Sequence, residues 1–65
     1  MIRTNLKNIM QEKGVTIIGL GERTGLSTRT IRHARSDQIM NCRLSTLATI
    51  AAALGVRTKD LYEEE

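Results

Sequence analysis

Glycine cuts this chain into segments that leave room only for short helices. Gly14, Gly25 and Gly55 each follow a stretch whose apolar residues recur at helical spacing, and each stands where such a helix would stop. In the first segment Ile2, Leu6, Ile9 and Met10 share one side, with Lys7, Gln11 and Glu12 on the other and Lys13 in the last turn. Thr16 is suited to cap a second helix carrying Ile17, Ile18, Leu20 and Arg23. Ser27 is suited to cap a third, Thr28 to about Ser36, with Ile31 and Ala34 inward. After a polar-flanked connection from Asp37 to Cys42, a fourth helix carries Leu44, Leu47, Ile50, Ala51 and Leu54 to the stop at Gly55. Arg57 to Tyr62 adds one or two turns, with Leu61 and Tyr62 closing the core. No stretch alternates with period two for long enough to make a strand. The expectation is an all-α fold of five helices in a single domain over residues 1–62, followed by an acidic tail, 63–65.

Composition narrows the function. A chain of 65 residues is one small domain that buries only about 60% of its unfolded surface. It has one cysteine and one histidine, too few for a disulfide framework or a structural zinc site, so a reducing cytoplasm fits and no cofactor is expected. No apolar run is long enough to span a membrane. Phe and Trp are absent, which removes the stacking platforms that bind single strands and RNA. Catalysis finds no support: the carboxylates are scattered or terminal, no nucleophile has a base beside it, and Gly19-Leu20-Gly21 lies inside a helix without the Lys-Ser/Thr of a phosphate loop.

Charge points to a polyanion. Residues 1–59 hold all ten Lys and Arg against only Glu12, Glu22 and Asp37, while Asp60 and the three terminal Glu residues make the other end acidic. Seven of the ten cations are Arg, and Arg23, Arg29, Arg32, Arg35 and Arg43 crowd the middle. Arginine suits sites where a rigid fork must meet phosphate or the edge of guanine.

The run from Thr16 to Ala34 has the grammar of a helix-turn-helix. Gly21 stands where two helices would cross most closely, Gly25 at the turn where positive φ is needed, Leu26 beneath the joint, and Ile31 where the second helix packs on the first. A second block, Asn41-Cys42-Arg43-Leu44-Ser45-Thr46-Leu47 through Ala53-Leu54-Gly55-Val56 and then Leu61-Tyr62, follows in order. Together the two blocks resemble the phage Cro/C1-type (Xre) helix-turn-helix regulators over nearly the whole chain. The resemblance implies a compact, lambda-repressor-like DNA-binding domain whose third helix enters the major groove. Several residues depart from the family pattern. Ile17 replaces a Gln that touches the backbone, Gly21 replaces Ala, Cys42 replaces Pro, and Arg43 stands where Ser or Asn would cap the fourth helix better.

By this resemblance Thr28, Arg29, Arg32 and His33 face base edges, although one outward stripe cannot bring all four to bases; His33 is otherwise a surface residue. Ser27, Arg35, Ser36 and Arg43 are candidates for the DNA backbone, with plain surface as the alternative for Arg35, Ser36 and Arg43. Ile39 and Met40 are candidates for a dimer interface, or else cap the core; Cys42 reads as a small apolar filler, with a redox sensor or an intermolecular disulfide as the alternatives. The implied function is sequence-specific binding of double-stranded DNA by a transcriptional regulator. A repressor of phage, prophage or mobile-element type, occluding a promoter, fits best. The alternative is a protein-interaction module, such as an antitoxin or anti-regulator, to which the loss of Gln at position 17 gives weight. An architectural DNA binder would need apolar wedges or more lysines. A (pseudo)palindromic operator read by a homodimer is expected, with the free chain monomeric or weakly dimeric, and a cytoplasmic location at the nucleoid.

Overall fold

Each helix ends where its sequence loses the means to continue. The computed structural model describes residues 2–64. Along the chain lie strand β1 (Ile2–Thr4), helices α1 (Leu6–Lys13), α2 (Ile17–Thr24) and α3 (Thr28–Ala34), a 3₁₀ turn (Asp37–Asn41), helix α4 (Leu44–Leu54), a second 3₁₀ turn (Thr58–Leu61) and strand β2 (Tyr62–Glu64). Gly14 closes α1 in the left-handed region, its N–H shared between the carbonyls of Gln11 and Met10. Gly55 closes α4 in the same way on Ala51 and Ala52. The final turns end on Asp60, whose carboxylate accepts from the Arg57 N–H at 3.0 Å and caps the second 3₁₀ turn.

The expectation of an all-α chain needs correction. The described residues form four α-helices, two 3₁₀ turns and a two-stranded antiparallel sheet in which Ile2 pairs with Glu64, Arg3 with Glu63 and Thr4 with Tyr62. Ile2 therefore lies in β1 rather than on the first helix, and Glu63 and Glu64 of the expected acidic tail are strand residues; Glu65 lies outside the described residues. Strands of three residues are too short to show a period of two. The start of the chain is held by further contacts, two of them remote in sequence. The Thr4 hydroxyl donates to the Ala34 carbonyl at 2.6 Å, the Asn5 N–H bonds to the Leu61 carbonyl at 2.8 Å, and Thr4 Oγ1 accepts from the Leu6 N–H at 3.2 Å. Thus α1 begins at Leu6 because Thr4 and Asn5 are already committed to the far end of the chain.

The core gathers Leu6 and Met10 of α1, Leu20 of α2, Ile31 and Ala34 of α3, Ile39, then Leu47, Ile50, Ala51 and Leu54 of α4, and Leu61. No polar side chain is buried among the described residues. Two apolar residues counted on helix faces stay outside it: Ile18 and Leu44 are each 68% exposed. Both sit in the first turn of their helix, on the side turned away from the core. No helix among the described residues is long and apolar enough to cross a membrane.

Candidate nucleic-acid interface

The site is built from α2, the joint at Gly25 and α3. Thr16 opens α2 by accepting from the Gly19 N–H at 3.0 Å. Gly25 ends it at φ 73°, donating its N–H to the Gly21 carbonyl at 2.8 Å; an L side chain rarely adopts this backbone. Thr24 braces the joint, donating its hydroxyl to the Leu20 carbonyl at 2.8 Å and accepting from the Leu26 N–H at 3.2 Å. The chain then reverses closely enough that a Cβ on Gly21 would meet the Leu26 carbonyl oxygen at 3.1 Å and Ile31 Cδ1 at 3.6 Å. Gly21 thus occupies the tight crossing expected of it.

Ser27 starts α3, its Oγ accepting from the Thr30 N–H at 3.2 Å and lying 2.9 Å from Thr30 Oγ1. Ile31 and Ala34 face inward and are fully buried. At about 100° per residue their shared direction leaves an outward stripe on the opposite side, with Arg29 nearest its centre, Arg32 and His33 about 50° to either side and Thr28 at its edge. All four are exposed. Neither the Arg29 nor the Arg32 guanidinium is tied to a carboxylate among the described residues, so both forks are available to an external acceptor.

The flanking candidates differ from one another. Arg35 follows α3 and is half-buried, its N–H bonded back to the helix. Ser36 is exposed, but its hydroxyl already donates to the His33 carbonyl at 3.0 Å and accepts from the Gln38 N–H at 3.2 Å. That leaves Ser36 no free hydroxyl proton for a phosphate oxygen. Arg43 is exposed at the N-cap of α4 and makes no side-chain cap bond. Its guanidinium extends from a helix start whose first turn holds no acid. Ile17 is half-buried and packs against the core, where the departure from Gln leaves an apolar contact.

The proposed interface pair is divided by the structure. Ile39 is 2% exposed and belongs to the core, so its side chain is not a contact surface, whereas Met40 beside it is 65% exposed. At three residues per turn, the 3₁₀ geometry of Asp37–Asn41 sets adjacent side chains about 120° apart, so one can be covered while the next is exposed. Cys42 is half-buried, with Sγ 3.7 Å from the Gln38 carbonyl oxygen, and burial pushes its thiol pKa up. A protonated thiol in that position acts as the small apolar filler expected. No group of three His, Cys, Asp or Glu residues able to hold a metal occurs among the described residues.

Missing from the sequence reading was an apolar groove of about 360 Å³ lined by Ile2, Ile39, Met40, Cys42, Leu44, Leu47 and Tyr62. It draws on β1, the first 3₁₀ turn, the start of α4 and β2, so no local spacing signals it.

A family model described as the Cro/C1-type HTH DNA-binding domain matches residues 5–65. No curated protein and no solved structure gave a significant match.

Proposed function

The chain belongs to the Cro/C1-type helix-turn-helix DNA-binding domains, and on that footing we propose that it is a sequence-specific transcriptional regulator, a repressor of phage, prophage or mobile-element type. The observation that carries this reading is the exposed stripe of Thr28, Arg29, Arg32 and His33 on α3, held outward by the burial of Ile31 and Ala34. Such a stripe presents two arginine forks and a hydroxyl to the major groove, where each base pair has a distinct pattern of donors and acceptors. Ser27, Arg35 and Arg43 flank it as contacts to phosphate, which fix the register without carrying sequence information. Repression needs nothing more than occupancy of a promoter.

A helix of seven residues reads only a few base pairs. A homodimer on a (pseudo)palindromic operator doubles that information and sets the two recognition helices about 34 Å apart on one face of the duplex. The free chain is monomeric or weakly dimeric.

Selection of bound duplexes from a random pool tests the reading. A recurrent symmetric motif, with affinity falling steeply between low and moderate salt, is the expected result. An enriched motif with one asymmetric half, bound by one copy, would remove the dimer. Failure to enrich any duplex would leave the interaction-module reading in its place.

A further inference from the structure

We propose that Thr4 is a positioning residue for the reading helix: its hydroxyl, carried on β1, holds the C-terminal end of α3 and so sets the direction in which Arg32 and His33 meet DNA. The proposal rests on the DNA-binding reading above and adds to it a residue that lies 30 positions from the one it holds.

A helix leaves its last carbonyls without partners inside it. In α3 those of Ile31 and Arg32 accept from the Arg35 N–H at 3.1 and 3.2 Å, and that of His33 accepts from the Ser36 N–H at 3.2 Å and the Ser36 hydroxyl at 3.0 Å. These donors come from the next two residues and travel with the helix wherever it points. The Ala34 carbonyl instead accepts from a distant segment, the Thr4 hydroxyl at 2.6 Å.

Thr4 is itself held on both flanks. In β1 it pairs with Tyr62, and the Asn5 N–H that follows bonds to the Leu61 carbonyl at 2.8 Å. Its Oγ1 also accepts from the Leu6 N–H at 3.2 Å, at the start of α1, where Asn5 makes no side-chain cap bond. With its one proton given to Ala34 and a lone pair filled by Leu6, the hydroxyl has one orientation that serves both. Leu6 and Ala34 are fully buried, so water does not replace a lost partner there.

Two points fix an axis. The crossing at Gly21, against Leu26 and Ile31, fixes the first half of α3, and Thr4 fixes its end. The helix has seven residues and is only about 10 Å long. His33 and Arg32 stand next to Ala34, whereas Thr28 begins the helix. Release at Ala34 therefore displaces Arg32 and His33 more than Thr28. Base contacts depend on that direction because a bidentate arginine has a fixed geometry, whereas attraction to phosphate is independent of sequence.

The test uses the intact chain with Thr4→Val, which keeps the branched shape without the hydroxyl, and Thr4→Ser, which keeps the hydroxyl. All are compared at a temperature where circular dichroism shows each fully folded. Amide order parameters from NMR relaxation report the hold on α3 in the free chain. Gel-shift titrations on a duplex recovered by random-pool selection, and on an unrelated duplex, report reading. In Thr4→Val the order of His33, Ala34 and Arg35 should fall relative to mid-α4. Affinity for the selected duplex should fall at least about fivefold, the loss of one base contact, with the unrelated duplex unchanged; Thr4→Ser should restore both. Unchanged order in α3, an equal loss on both duplexes, or a Ser variant that behaves as Val each overturns the proposal. Should Thr4→Val not fold, the parent chain decides: a last turn of α3 as rigid as mid-α4 supports the hold, and order below about 0.6 refutes it. If no duplex is recovered, the DNA-binding reading fails separately and the relaxation result alone decides whether Thr4 holds α3.

Discussion

Replacing Arg43 by Ser should make the domain more stable and the complex with DNA weaker. Arg43 holds the N-cap position of α4 in extended backbone, φ −68° and ψ 145°, the conformation from which a Ser hydroxyl accepts an N–H of the first turn. Arg43 makes no such bond, and its positive charge stands at the positive end of the helix dipole. A Ser cap contributes about 1 kcal/mol over a non-capping residue. Removing the cation adds about 0.3–1 kcal/mol at low salt. The sum, about 1–2 kcal/mol, raises Tm by about 4–8 °C per kcal/mol in a domain of this size. If Arg43 meets phosphate, one lost contact per subunit also lowers the slope of log affinity against log salt by about 0.9, or about 1.8 for a dimer. Thermal melts followed by circular dichroism measure the first effect, and binding titrations at several salt concentrations measure the second. A Tm that fails to rise refutes the capping argument. A higher Tm with affinity and salt slope unchanged refutes the phosphate contact and leaves Arg43 as a solvated residue.

Arg32→Ala should cost about 1–3 kcal/mol on the specific site and flatten base preference at one symmetric pair of positions, as read by competition with single-base operator variants. An equal loss on every variant would make Arg32 a backbone contact. Gly25→Ala should destabilise by about 1–2 kcal/mol, because nothing crowds the added methyl but φ is 73°; denaturant titration measures it, and an unchanged midpoint would refute the strain. The Cys42 thiol, its pKa raised by burial, should alkylate more slowly near pH 8 than the same thiol in the unfolded chain, with the gap closing once pH passes the folded pKa. Its neutral form is the one the fold favours, so any stability it adds is present below the ordinary thiol range and declines as pH rises through the folded pKa.

Much of the reading apparatus was legible because it depends on neighbours a few residues apart. Thr16 and Ser27 cap their helices through N–H groups three residues on, and Gly25 stops α2 by its own backbone preference. The inward pair Ile31 and Ala34 fixes which side of α3 faces out, so the outward stripe follows from helical geometry. Local chemistry of this kind survives in a linear reading. The terminal sheet does not, since Ile2–Thr4 and Tyr62–Glu64 are strands only because each finds the other across the whole chain. The same holds for the exposure of Leu44, the burial of Ile39 beside exposed Met40, and the groove they share with Ile2 and Tyr62. Sequence periodicity determines which side of a helix is apolar, but only the packed neighbours decide which apolar residues are covered. In this chain the helix-turn-helix and its outward arginines are local facts, whereas the strand pair and the groove are products of contact between segments that the sequence holds far apart.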